Sequence, residues 1–251
     1  MKLTVYVAAL LLIVCICSCS RGGEVSQESP KPTATQGSNT GGTPVELSYV
    51  PEGFPMGLSV SQGFALHLFE TPSASQKFRE MPPESGRKRY YDEFTIAGKS
   101  HLVITEEGSP PLMHFDENRN GDLTDDRGPF TGEKDQLLPN NYSIQIRYDA
   151  EKVIAPYRMW LFGSNMGGVR FYSACHWRGN LEIDGARYII VAFDGGADGD
   201  YSNDPLVIDV NGNDKADEGE SMKPGDAVQL GGREVRLVSV SPSGLTAYLM
   251  W

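Results

Sequence analysis

The stretch 193–220, FDGGADGDYSNDPLVIDVNGNDKADEGE, limits what this chain can fold into more than any other part of it. It holds two acidic, glycine-rich loops joined by one apolar run, Leu206-Val207-Ile208. Asp194, Asp198, Asp200 and Asp204 fall in the first loop; Asp209, Asn211, Asn213, Asp217 and Glu220 fall in the second. Carboxylates at this density repel one another unless a cation lies among them. The pattern also occurs earlier. Residues 116–126 read DENRNGDLTDD, and residues 194–204 read DGGADGDYSND. Both have Asp at position one, Gly at six, Asp at seven, a hydroxyl residue at nine and Asp at eleven. Each follows a hairpin-like segment, FTIAGKSHLVI or LEIDGARYIIVAF, so a hairpin plus acidic loop is repeated within the chain. The first copy carries an extra turn, EEGSPP, before its loop.

Side-chain oxygens at positions one, three and five, a sharp turn at six and a carboxylate near twelve describe a loop that wraps calcium. Loop 209–220 fits that register with Asp209, Asn211, Asn213, Asp217 and Glu220 at positions one, three, five, nine and twelve. Asp214 stands at six where Gly is usual, and Asp enters left-handed backbone more readily than most residues. In loop 116–126 the oxygens at one, three and five are Asp116, Asn118 and Asn120. In loop 194–204 they are Asp194 and Asp198, because Gly196 removes the ligand at three. Asp122 and Asp200 are at seven, where a backbone carbonyl binds, so their carboxylates are expected to face solvent. Arg127 and Pro205 occupy position twelve of these two loops, leaving Asp126 or Asp125, and Asp204, as closing carboxylates. Asp, Asn and Gly also build ordinary hairpin turns; the repetition in register is what favours metal. In the loops alone the sequence resembles EF-hand-like and dockerin-like calcium loops, which implies Ca²⁺ as cofactor. No flanking helical pair is visible, so the EF-hand fold is not carried over.

Asp204 and Asp209 are separated by Pro205 and the apolar run. An extended strand there holds them roughly 16 Å apart, which predicts separate sites. The 209–220 loop, alone in having Glu at twelve, is expected to be the tightest.

The first residues, MKLTVYVAALLLIVCICSCS, give a short positive start and an apolar run of signal-peptide length. The end, Ile16-Cys17-Ser18-Cys19, resembles a bacterial lipobox. That resemblance implies a signal peptide over 1–19, lipidation of Cys19, and a chain exported and anchored to the membrane, at the outer membrane or its periplasmic face. An ordinary secretory signal is the alternative. With Cys19 lipidated, Cys175 remains as the one thiol of the mature chain, so no intramolecular disulfide is available as a staple. Residues 20–44 are Ser, Thr, Gly and Pro with almost nothing apolar, and read as a tether.

Residues 45–251 read as one β-rich domain. Segments 45–50, 94–104, 142–148, 157–162 with 169–174, 181–193, 227–230, 234–240 and 245–251 have strand character, with turns at Gly98, Gly185 and Gly232. Helical periodicity is nearly absent; SASQKFREM, 73–81, is the best short-helix candidate, stopped by Pro82-Pro83. The fold class is mainly β, a sandwich or open barrel of short antiparallel strands and hairpins with acidic loops. The lipobox, the hairpins, the D-x-N-x-N-G-D-x-x-D-D loop and the terminal Gly-turn hairpin together resemble the accessory domain ahead of thioredoxin modules in some bacterial lipoproteins. The chain has no C-x-x-C, so redox activity does not carry over.

A net charge of −11 argues against nucleic acid as a partner. Cys175-His176 is the one adjacent nucleophile–base pair; a buried Cys beside a surface His is the ordinary use of such a pair. His67, His101, His114 and His176 are too scattered to suggest zinc. Tyr157, Trp160, Phe171, Tyr172 and Trp177 either stack on a carbohydrate ligand or fill a β core. The expected function is a membrane-tethered calcium-binding module for a protein or carbohydrate ligand. A metal-supported hydrolase, such as a glycoside hydrolase using loop carboxylates, is the alternative.

Overall fold

The computed structural model describes residues 41–51, 55–58, 64–67, 69–131, 142–164 and 168–251. The expected signal peptide, Cys19 and most of the tether lie outside the described residues. In chain order the strands are β1 (Thr43–Glu46), β2 (Ser48–Val50), β3 (Phe64–Ala65), β4 (Arg89–Ile96), β5 (Lys99–Glu106), β6 (Leu112–Phe115), β7 (Phe130–Thr131), β8 (Tyr142–Tyr148) and β9 (Val153–Ser164). They continue with β10 (Gly168–Ser173), β11 (His176–Ile183), β12 (Ala186–Phe193), β13 (Leu206–Asp209), β14 (Ser221–Met222), β15 (Ala227–Leu230), β16 (Arg233–Val240) and β17 (Thr246–Met250).

The strands form four antiparallel sheets, ordered β4-β5-β6-β7, β3-β10-β9-β8, β14-β13-β12-β11-β2 and β1-β17-β16-β15. None closes into a barrel among the described residues, so the chain is mainly β in the manner of a sandwich. Two-residue turns set three registers. Ala97-Gly98, Asp184-Gly185 and Gly231-Gly232 all have positive φ, the geometry whose twist matches the flanking strands.

Burial follows side-chain alternation where one face is wet. Tyr142, Ile144, Ile146 and Tyr148 of β8 point inward while Ser143, Gln145 and Arg147 are exposed. The main core gathers such inward faces from all four sheets, including Phe94, Ile146, Tyr157, Ile190, Ile208 and Leu237. The run Leu206–Asp209 is buried on both faces: Ile208 lies in the main core, while Val207 packs with Met56, Val191 and Phe193 in a second cluster. That explains an uninterrupted apolar run in place of alternation. Each fully buried side chain of this size contributes about 1.5–3 kcal/mol of transfer free energy.

Four expectations change. Segment 73–81 forms no helix. Its backbone is drawn instead to the first acidic loop: Arg79 and Glu80 N–H both donate to the Gly121 carbonyl, and Glu80 carbonyl accepts from Leu123 N–H. These contacts override local propensity. Segment 45–50 is two strands, because Leu47 marks a switch from the sheet of β17 to the sheet of β11, with its N–H on the Leu245 carbonyl. Strand β1 also takes in Thr43 and Pro44, which composition assigns to the tether. Finally, the first acidic loop follows a third strand, β6, while the second follows its hairpin directly.

Candidate metal centre

The three acidic loops share one backbone. In each, the position-one carboxylate is buried and gathers the N–H groups that follow it. Asp116 accepts from Asn120 and Gly121, Asp194 from Asp198 and Gly199, and Asp209 from Gly212, Asn213 and Asp214. Side chains at three, five and seven then accept from the N–H two residues on. This gives Asn118 to Asn120, Asn120 to Asp122 and Asp122 to Thr124 in the first loop, and Asp198 to Asp200 and Asp200 to Ser202 in the second. The third loop has Asn211 to Asn213 and Asn213 to Lys215. This succession of turns is what Asn and Asp at every second position build. Positions four and six are left-handed throughout: Arg119, Ala197 and Gly212, then Gly121, Gly199 and Asp214.

Position six explains the departure at Asp214. A Cβ on Gly121 would lie 2.5 Å from the Lys77 carbonyl oxygen, and one on Gly199 would lie 2.5 Å from Ile96 Cγ2. Those two loops are pressed against neighbouring segments. Asp214 points to solvent instead and pairs with Arg178 at 2.9 Å.

Position eight carries a signal that the sequence reading missed. Leu123, Tyr201 and Ala216 each turn inward against a core cluster. Their N–H groups reach the carbonyls of Glu80, Pro242 and Met56 at 3.1, 3.1 and 2.9 Å. Spacing from the position-one Asp would have found them.

The loops differ in how their remaining carboxylates are spent. In the first, Asp125 accepts from the amides of Asn118 and Asn120. In the third, Asp217 accepts from the amides of Asn211 and Asn213, which hold its carboxyl low. Glu220 is buried and accepts from Val210 and Asp217 N–H. The second loop has no amide at three. Asn203 donates to Asp198, and oxygens of Asp194, Asp198 and Asp204 come within 4.8 Å of one another. Among the described residues, this is the one group of three or more His, Cys, Asp or Glu that could hold a metal ion. The structure therefore brings acids together in the second loop, where the sequence expectation ranked the third loop first.

Two ionised carboxylates within 4.8 Å of one another repel by at least about 3.5 kcal/mol at an effective dielectric of about 20. The protein offsets part of this by protonation. Burial, then the charges of Asp194 and Asp198, push Asp204 up to about 7. Burial, with the Asp116 charge behind it, pushes Asp126 up to about 6. Asp194 and Asp116 are also raised by burial. Asp204 Oδ2 and Asp126 Oδ2 are buried without a hydrogen-bond partner among the described residues. An oxygen in that condition suits a cation.

Asp122 and Asp200 lie apart from this group. Each accepts from the hydroxyl and N–H of its own position nine, Thr124 or Ser202. Asp122 is buried, not solvent-facing, and Arg79 holds its second oxygen at 2.9 Å; the Thr124 hydroxyl and Arg79 bring its carboxyl down to about 2. Asp204 and Asp209 are kept apart by β13, which runs antiparallel to β12 with Leu206 opposite Ala192 and Asp209 opposite Ile189.

Cys175 is fully buried, accepts from Arg158 N–H at 3.2 Å and has its thiol pushed up by burial. His176 is buried as well, not at the surface as expected, because β11 is covered on both faces at its start. Tyr157, Phe171 and Trp177 fill the core, whereas Trp160 and Tyr172 form a half-buried cross-strand pair with ring centroids 5.8 Å apart. Among the described residues no helix is long and apolar enough to cross a membrane. Comparison with protein-family models, with curated proteins and with solved structures finds no match to this chain.

Proposed function

We propose that the chain is a lipid-tethered, exported β-domain that binds calcium through its three acidic loops and works as a binding or assembly module. The observation that carries this is the convergence of Asp194, Asp198 and Asp204 on a loop skeleton repeated three times. The chemistry of the donors is hard oxygen: carboxylates, Asn amide oxygens and backbone carbonyls, the set that suits calcium over softer metals. Asp116, Asn118, Asn120 and Asp126 would serve the first loop; Asp194, Asp198 and Asp204 the second; Asp209, Asn211, Asn213, Asp217 and Glu220 the third. Asp122 and Asp200 would contribute their carbonyls. With no disulfide available, bound metal supplies folding free energy.

A calcium titration followed by a thermal melt tests the reading. A ligand that binds only the folded state at a hundredfold excess over Kd adds about 2.7 kcal/mol. Millimolar calcium is expected to raise the melting temperature by several degrees and chelator to reverse the rise. An identical melt in both would reject calcium binding. Asp209→Asn separates a structural site from a catalytic one, since a structural site loses stability while a catalytic one loses turnover with the fold intact.

A further inference from the structure

The second loop touches every sheet. It leaves β12 and enters β13, so it belongs covalently to the sheet of β11–β14. Its Asp198 carbonyl accepts from Ala97 N–H at 2.6 Å, in the β4–β5 turn. Its Gly199 carbonyl accepts from the Tyr148 hydroxyl of β8 at 2.8 Å, and Asp194 accepts from the Tyr157 hydroxyl of β9 at 2.6 Å. Tyr201 N–H donates to the Pro242 carbonyl in the β16–β17 connection. That connection is itself capped by Glu151, which accepts from the N–H and hydroxyl of Ser243.

Among the described residues the other loops have no such reach. The first bonds to its own sheet, through Asp116 N–H to the Leu102 carbonyl and His101 Nδ1 to the Asp116 carbonyl, and to Arg79 and Glu80. Arg127, just past its end, adds one bond to the Ser143 carbonyl. The third bonds to Met56 and, through Asp214, to Arg178 of its own sheet.

Resting on the calcium reading above, we propose that the cation of the second loop is the fastening on which cooperative folding of all four sheets depends, while cations at the first and third loops stabilise only their own ends. Two of the three carboxylates that must converge on the ion belong to residues that make inter-sheet contacts, and the other two contacts, at Gly199 and Tyr201, lie within the same loop. Asp194 carries the bond from Tyr157, and Asp198 carries the bond from Ala97. Without the ion, Asp194, Asp198 and Asp204 push apart, and any spreading draws the loop off the sheets it joins. With the ion, their geometry is set from inside the loop and the contacts are held together.

Hydrogen exchange on the full-length chain, read with a calcium titration, tests this. In the wild type, chelator is expected to lower amide protection in all four sheets together, with Ala97 and Tyr201 as direct reporters. Asp204→Asn in saturating calcium should bind one calcium fewer and show the same four-sheet loss. Asp126→Asn and Glu220→Gln should each weaken one calcium and keep four-sheet protection. An Asp204→Asn chain that loses a calcium with protection intact overturns the proposal, as do loop-one or loop-three variants that lose protection everywhere. If Asp204→Asn does not fold, the wild type decides: loss confined to one sheet on chelation also overturns it. A wild type that takes up no calcium refutes the calcium reading itself, and that outcome is distinguished by the titration.

Discussion

The Tyr157 hydroxyl donates to Asp194 Oδ2 at 2.6 Å, joining the middle of one sheet to the first residue of the second acidic loop. Both residues are about 1 % exposed, so the bond is sealed from water. A hydrogen bond to a charged or partly charged group typically contributes about 1.5–3 kcal/mol. Tyr157→Phe keeps the ring packing and removes the donor, so it is expected to cost an amount in that range. Denaturant unfolding checks it, with the midpoint falling at an unchanged slope.

Gly196→Asn is expected to tighten the second loop. Gly196 is exposed and has no positive φ, and a Cβ there would meet Asp198 Cγ, Asp194 Oδ1 and Asp198 Oδ2 at 3.7, 3.8 and 3.8 Å, ordinary contact distances. The side chain would restore the position-three oxygen that Asn118 and Asn211 supply elsewhere. An affinity gain of up to about tenfold, or about 1.4 kcal/mol, is expected by calcium titration. An unchanged or weaker Kd would show that position three does not face the ion.

The part of metal-free stability carried by Asp126 and Asp204, read as the difference between wild type and their Asn variants, should fall as pH rises from about 4 to about 7. Asp126 and Asp204 have folded values raised to about 6 and about 7, against about 3.9 for an unfolded Asp. Between the unfolded and folded values the folded chain binds more protons than the unfolded one, so the slope of stability against pH is negative. Below about pH 4 both states are protonated and the fold keeps the full benefit. Calcium requires deprotonated ligands, so its affinity should rise over the same window. Melts in chelator and in calcium across pH 4–8 check both signs.

Glu220→Gln should weaken one calcium and leave the first loop untouched. Glu220 is buried and uses one oxygen on Val210 N–H and the other on Asp217 N–H. Gln keeps the shape and can satisfy only one of these, at a cost of about 1–3 kcal/mol for the group left unpaired. A titration in which all binding disappears together would show that the sites are not independent.

Cys19→Ser is expected to leave the precursor uncleaved by the lipoprotein pathway, because Ile16-Cys17-Ser18-Cys19 resembles a lipobox in which Cys19 would be the acceptor thiol. Mass spectrometry of the mature wild-type chain should find a lipidated Cys19. An unmodified N-terminus would rule out the anchor.

Local chemistry made much of this protein legible before its structure. Asn or Asp at every second position dictates the chain of short turns, and Ala97-Gly98 and Asp184-Gly185 dictate tight hairpins, because these effects act within a few residues. The alternation of YSIQIRY in β8 and the unbroken apolar run before Asp209 set which faces are buried. What the sequence could not decide was which loop gathers its carboxylates: it named Asp194, Asp198 and Asp204 as one set but ranked the third loop first. Glu220 matched the expected closing position, yet it is spent on two loop N–H groups, while Asp204, with no Glu at twelve to assist it, joins Asp194 and Asp198. That outcome depends on Gly196 leaving no amide at position three, and on Tyr157, Tyr148 and Ala97 arriving from sheets distant in sequence. Segment 73–81 failed as a helix for the same reason: the carbonyls and N–H groups offered by the first loop outweigh a weak local preference. Sequence determined the loops and the strands through short-range hydrogen bonding and side-chain alternation. Tertiary structure decided which of the three loops draws its acids together, because the burial of those charges depends on long-range packing.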